Sequence, residues 1–220
     1  RPMMIRTIRE EPTTLVGAEG GIEVLVHPEW AERWPGLVQG TTTRTSDFAA
    51  GTPGPDTASG LSPHARSTWE LLSSATGSRA AVHARQPHAA RVDVRSPKST
   101  GFTLASPADG HLTRDADVLL GVTVADCVPV TLHAPSAGVV GMVHAGWRSA
   151  AAGILERALG RLRDAFGVRP ADLEIHLGPS ICGACYEVGP EVFAALGLDV
   201  PDAPTPIDLP GAIAVRAAMA

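Results

Sequence analysis

Cysteine is scarce in this chain of 220 residues: there are three. An odd number cannot all pair, so no disulfide framework is expected, and a reducing compartment, the cytoplasm, is the default location. Basic residues are few as well. Lys and Arg number 18 against 23 Asp and Glu, the formal charge is −5, and no basic run stands out. A nucleic-acid-binding surface is therefore not expected. No apolar stretch reaches the roughly 20 residues that span a bilayer, so no membrane association is expected. The opening residues, "RPMMIRTIREE", hold no apolar core of signal-peptide kind. Internal repeats and charge blocks are also missing. What remains is a chain with 44% hydrophobic residues, long enough to bury the core of one large domain.

Short β-prone and helical segments alternate irregularly. Residues 21–27 ("GIEVLVH") read as a strand and 38–44 ("VQGTTTR") as β-prone, while 45–65 is crowded with Gly, Pro, Ser and Asp and reads as loop. "ARSTWELLSSATG" reads as a short helix capped by Ser62 or Ser67 and stopped at Gly77. Strands are expected at 80–86, near 91–95, three times between 117 and 143, and in "LEIHLGPSI". Residues 149–166 carry Ile154, Leu155, Ala158, Leu159, Leu162 and Phe166 at helical spacing, with Ser149 as the expected N-cap. "PEVFAAL" reads as a helix with Pro190 at its first position. Without regular βαβ alternation, the class is α+β with a mixed sheet.

One segment carries a chemical signal. In "ADCVPVTLHAPSAGVVGMVHAGW", two apolar runs, 128–132 and 139–143, flank "HAPSAG" and form a hairpin. With a loop at 134–137, His133 faces Gly138 and, at the open end, Cys127 faces His144. Facing Cβ atoms lie roughly 4.5–5.5 Å apart, which suits a thiol and an imidazole sharing a metal ion or a proton. Gly146 permits close approach, and a helix starting near Ser149 brings N–H groups to the hairpin mouth, where an anion is favoured. Asp126 is placed to orient a ligand or accept a proton, and Arg148 to face an anion.

A catalytic zinc has three protein ligands and an open position. Of the eight histidines, His88, presented after Pro87 by an extended segment, is the best third ligand. His27, His64 and His111 read as loop residues; His83, His133 and His176 alternate within strands and read as packing or surface residues. "CGAC", Cys182 to Cys185, lacks the second C-x-x-C of a four-cysteine site and reads as structural. The same residues admit a cysteine hydrolase, with Cys127 as nucleophile, His144 as base and Asp126 as orienter, and a non-catalytic module with a structural zinc.

"ADCVPV…HAGWR", with "QPHA" upstream and "GPSICGACYEVGPEV" downstream, resembles the polyphenol oxidoreductase (laccase-domain) family, also called the purine nucleoside phosphorylase family, over about residues 38–195. The resemblance implies a single domain over 1–220 with a four-layer α/β/β/α sandwich and a zinc ion on His88, Cys127 and His144. It implies phosphorolysis of adenosine, inosine, guanosine and methylthioadenosine, and adenosine deamination. The older laccase label implies copper and phenol oxidation, and an editing role on peptidoglycan precursors has also been proposed for the family. Purine nucleosides and phosphate are the implied partners, with phosphate held by Arg44, Arg148 and the helix start at Gly146 and Ser149; the oligomeric state is left open. The chain departs from the family pattern after Arg44 ("TSDFAAG" for "GGVS"), in "HARSTWELL" (no Asn-Arg) and at Ser149 (for Gly). The family's C-terminal Ser-Tyr-Arg-Arg does not appear before Ala220, so a missing C-terminal segment is expected.

Overall fold

The computed structural model describes residues 6–17, 20–43, 48 and 62–219. The chain begins with an antiparallel hairpin, β1 (Glu11–Gly17) and β2 (Gly20–Val26), to which β3 (Thr41–Thr42) adds beyond a short helix, α1 (Pro28–Arg33). Helix α2 (Pro63–Ala75) starts where the Ser62 hydroxyl accepts the Ala65 N–H at 3.1 Å and ends before Gly77, whose φ of 66° is left-handed. Ser67 lies inside the helix and donates to the Pro63 carbonyl instead.

Strands β4 (Ala80–Ala84), β5 (Val92–Val94), β6 (Gly101–Ala105), β7 (Gly110–Thr113) and β8 (Val118–Leu120) follow in quick succession. β6, β4 and β8 form a parallel sheet. β5 and β7 instead join the hairpin β9 (Val128–Ala134) and β10 (Val139–Ala145), and β11 (Glu174–Leu177), in a five-stranded sheet of order β11-β9-β10-β7-β5. Its β5–β7 pair is parallel and the rest antiparallel, so the sheet is mixed. Four helices complete this half: α3 (Trp147–Ala151), α4 (Ile154–Phe166), α5 (Pro190–Leu196) and α6 (Leu209–Met219). A two-stranded ribbon, β12 (Glu187–Val188) with β13 (Thr205–Pro206), flanks α5.

Side-chain alternation along β9 explains the layering. Val128, Val130 and Leu132 are fully buried against Ile154, Leu155 and Leu162 of α4 and Leu209 and Ile213 of α6. Pro129, Thr131 and His133 point the other way, toward the two smaller sheets, which α2 covers on their far side. The layers therefore run α2, small sheets, five-stranded sheet, α3–α6, an α/β/β/α arrangement. Trp69 of α2 anchors the outer pair: it stacks on His83 of β4 and Phe102 of β6 at 5.0 and 5.7 Å.

Two expectations are corrected. The helix expected over 149–166 is two helices, because Gly153 takes a left-handed φ of 78° and breaks the ladder between α3 and α4. Its N-cap is Gly146, and Ser149 lies within α3. The hairpin register is shifted by two residues: Pro135 opens a 3₁₀ turn closed by left-handed Gly138, so the loop is 135–138, Ala134 pairs with Val139, and His144 pairs with Pro129. Continued one step, that register sets Cys127 opposite Gly146. A shift of two preserves the face of every side chain, so Cys127 and His144 become diagonal neighbours on the same face.

Candidate metal centre

Three segments meet at the open end of the β9–β10 hairpin. His144 is the last residue but one of β10 and is 2% exposed. Cys127 lies in the bend before β9, half-buried and unpaired. His88 comes from the β4–β5 loop, and its backbone is left-handed, with φ 56°, where an extended segment was expected. One carboxylate holds this strained position in place. Asp109, fully buried just before β7, accepts the His88 N–H on Oδ1 at 3.0 Å and the Ala89 N–H on Oδ2 at 2.8 Å.

The same Asp109 faces His144. Its Oδ1 meets His144 Nδ1 at 3.0 Å, and its carbonyl accepts the His144 N–H at 2.7 Å. With Nδ1 engaged, His144 has Nε2 free for the site, the usual outer-shell arrangement of a ligating histidine. Burial by itself would lower the His144 pKa, but hydrogen bonds to Asp109 and Cys127 outweigh it and raise the value to about 9. Without metal, the imidazole therefore favours its protonated form, and a metal ion would have to displace that proton.

The donor atoms of His88, Cys127 and His144 all lie within 4.8 Å of one another, and among the described residues they are the one such group. The His88 and His144 rings meet edge to face at 4.7 Å. Gly146 makes this convergence possible. A Cβ at that position would lie 2.8 Å from Cys127 Sγ and 3.3 Å from His88 Cδ2. Two imidazoles and a thiol this close form a donor set that suits zinc, and the same donors suit copper.

The remaining site residues expected from sequence fall around this cluster. Asp126 is exposed; its carbonyl accepts the Ile181 N–H at 3.1 Å, and the carboxylate that orients His144 is Asp109 rather than Asp126. Arg148 is exposed at the start of α3, its guanidinium 4.2 Å above the Trp147 ring. Ser149 is fully buried, and its hydroxyl is shared between the His144 and Gly146 carbonyls at 3.2 and 3.0 Å, so it braces the turn. Arg44 lies outside the described residues. Tyr186, the lone tyrosine, was not anticipated: burial raises its pKa, and Cys127 and Asp126 raise it further while Arg148 opposes them, which puts its hydroxyl in the electrostatic reach of all three. Cys182 and Cys185, expected as thiols, form a disulfide. His111, expected in a loop, is on β7 and fully buried.

Residues 62–211, more than half of the chain, match the family model described as multi-copper polyphenol oxidoreductase laccase. The chain belongs to that family. This laccase-family chain is 37% identical over 132 residues to purine nucleoside phosphorylase YlmD of Geobacillus stearothermophilus, covering 57% of the chain and 48% of that protein. It is 37% identical over 130 residues to a purine nucleoside phosphorylase of Deinococcus radiodurans, covering 58% and 50%. An adenosine deaminase from an unknown prokaryotic organism is 34% identical over 120 residues, covering 52% and 45%. The laccase-family match thus spans about half the length of these curated relatives. Among solved structures, the Bacillus licheniformis hypothetical protein YfiH superposes with a TM-score of 0.74 at 22% identity, covering 89% of this chain and 81% of that one. YlmD of Geobacillus stearothermophilus gives 0.73 at 25%, covering 93% and 83%. Both share the mixed-sheet α/β fold. No helix among the described residues is long and apolar enough to cross a membrane.

Proposed function

We propose that this chain is a metal-dependent purine nucleoside enzyme that splits the base from the ribose with phosphate and deaminates adenosine. The observation that carries the reading is the convergence of His88, Cys127 and His144 around the gap left by Gly146. The names of the relatives, phosphorylase and adenosine deaminase, supply the substrate class. A zinc ion held by these residues supplies Lewis acidity and brings the pKa of water toward ~7. Asp109 keeps His144 in the tautomer that presents Nε2 and holds His88 in its left-handed turn. Arg148, exposed at the mouth of the site, offers its guanidinium to phosphate, with Arg44 as its expected counterpart. Tyr186, within the electrostatic reach of Cys127, Asp126 and Arg148, offers a hydroxyl to the nucleoside.

The test combines elemental analysis of the purified chain with adenosine and inosine turnover, with and without phosphate. One zinc per chain and phosphate-dependent release of the base support the reading. A metal-loaded protein inert toward both nucleosides overturns the substrate class. A second reading draws on the closeness of His144 and Cys127, whose donor atoms lie within 4.8 Å: in a cysteine hydrolase, that pair would serve as base and nucleophile. Stoichiometric zinc argues against it, because a metal-held sulfur is a blunted nucleophile.

A further inference from the structure

The Cys182–Cys185 disulfide takes no part in the function proposed above. It bridges a 3₁₀ turn, Gly183–Cys185, in which no residue is buried, and both cysteines are exposed. A bridge across so short a loop constrains the unfolded chain less than a long-range one, and an exposed disulfide is open to attack by an external thiolate. It is therefore poorly placed as a staple and well placed for exchange.

What the turn is attached to gives it a consequence. Immediately before it, the Ile181 N–H donates to the Asp126 carbonyl at 3.1 Å, and Asp126 adjoins Cys127. Immediately after it comes Tyr186, whose hydroxyl lies in the field of Cys127, Asp126 and Arg148. The Tyr186 carbonyl in turn accepts the Ile207 N–H at 2.9 Å. On the other side Gly183 packs against Asp208, where a Cβ would approach within 3.1 Å of the aspartate's own Cβ. The bridged turn is thus clamped between the loop that carries Cys127 and the start of α6. Cys127 precedes the first residue of the β9 ladder, so its position depends on tethers such as Ile181.

We propose that Cys182–Cys185 is a reversible thiol–disulfide exchange site, reduced by a dithiol, and that its redox state sets how firmly the Cys127 loop retains metal. The inference rests on the metal-site reading, not on the nucleoside substrate. One thiolate of the dithiol attacks a bridge sulfur, breaking the S–S bond and forming a mixed disulfide. Its second thiolate closes on the first and releases the remaining protein sulfur. Two electrons pass to the protein, which gains two thiols on protonation, and the reductant leaves as a cyclic disulfide. With the bridge open, the turn keeps the Cys185 N–H to Cys182 carbonyl bond at 2.9 Å but loses its covalent closure. The Ile181–Asp126 tether loosens, and Cys127 is less preorganised.

The experiment uses the zinc-loaded full chain, prepared oxidised or reduced with a trialkylphosphine that is then removed. Thiol counts of one and three identify the two forms. A chromophoric chelator then strips the zinc, and the release rate is read. Reduction is expected to speed release about tenfold, the lower end of the effect of losing an outer-shell support, and reoxidation to restore the slow rate. The double variant Cys182→Ser, Cys185→Ser is expected to release zinc fast whatever the redox treatment. Equal rates in oxidised and reduced wild type overturn the proposal. So does a redox response that persists in the double variant, which would assign it to Cys127, or a second zinc per chain after reduction, which would make the pair a metal site. An oxidised protein that holds no zinc overturns the metal reading together with this one, whereas failure to turn over nucleosides leaves the release measurement intact.

Discussion

Histidines gather in two places between the sheets, and each group includes a carboxylate. At the hairpin mouth are His88 and His144 with Asp109; some distance along the same face are His27, His133 and His176 with Glu10. In the second group the rings are used for packing. His27 stacks on Trp30 at 5.1 Å, His176 meets His27 edge-on at 4.8 Å, and His133 meets Trp34 at 4.6 Å. Their nitrogens are directed to separate partners: His27 Nδ1 accepts the Trp30 N–H at 3.3 Å, and His176 Nε2 pairs with Glu10 at 2.5 Å. In the first group, the carboxylate takes one ring nitrogen and two backbone N–H groups, and the potential ligand atoms of both histidines converge beside a thiol. Histidine count does not make a ligand site; convergence does, and convergence needs a residue without a side chain at Gly146.

The sharpest way to break the comparison is to remove the thiol. Cys127→Ala is expected to abolish stoichiometric metal binding while the chain stays folded, because the cysteine is unpaired and outside the main core. Elemental analysis with circular dichroism checks both halves. Full metal retention by the folded variant would show that the first group resembles the second after all.

Filling the gap is next in size. In Gly146→Ala the new methyl would meet Cys127 Sγ at 2.8 Å, a contact that forces the thiol or the His88 ring to move. Metal affinity is expected to fall on the order of 10–100-fold, with an overpacking cost of about 1–3 kcal/mol. Asp109→Asn is expected to weaken metal binding on the same order, because an amide cannot accept from His144 and both loop N–H groups at once. Competition titration with a chelator measures both, and unchanged affinity in either variant would remove that residue from the account.

Proton linkage separates the groups by sign. In the metal-free chain, the His144 pKa is raised from 6.5 to about 9, so its contribution to stability is full below pH 6.5 and is lost as pH rises through about 9. Burial lowers the values of His27 and His133 in the second group, and that of His111, which lies on β7 outside both groups, to about 3, from the same 6.5. Their neutral forms are the ones that fold, so that stability is intact above 6.5 and erodes as pH falls below it, toward about 3 for His111. Melting temperatures of the chelator-stripped protein should therefore drop on both sides. Zinc should abolish the alkaline loss alone, since the metal takes the place of the His144 proton. An alkaline loss that persists at saturating zinc would count against His144 as a ligand.

How much of this was legible in the sequence differs between the groups for physical reasons. The α4 face, the hairpin and the three donors follow from periodicity and short-range turn chemistry. The two-residue register error did no harm because strand faces repeat every two residues. Asp109 left no local signal. It reaches His144 only because β7 pairs with β10 across more than thirty residues, Gly110 opposite Val143, which places Asp109 beside His144. Helix α6 was not read from the sequence; packing of Leu209 and Ile213 into the core and the Arg216–Glu156 pair at 2.8 Å hold it in place. The packing histidines His83, His133 and His176 were legible as such, because their spacing places them within strands.

The smallest effect expected belongs to the second group. His133 is 7% exposed, and its Nδ1 is buried without a partner among the described residues. Its ring packs edge-on against Trp34, a contact that a leucine of similar bulk partly replaces. A buried polar atom without a partner carries a desolvation cost, so His133→Leu removes that cost along with the ring contact, and the two nearly cancel. Stability near neutral pH should change by less than about 1 kcal/mol, and metal content not at all, since the side chain belongs to the other group. What should change is the acid limb. His133 no longer takes up a proton on unfolding, so the loss of stability below pH 6.5 becomes shallower, by up to one proton in slope. Denaturant midpoints measured on either side of that pH read the difference directly. A fall in zinc content in this variant would mean that the two groups are coupled, and that the separation between packing and ligating histidines is wrong.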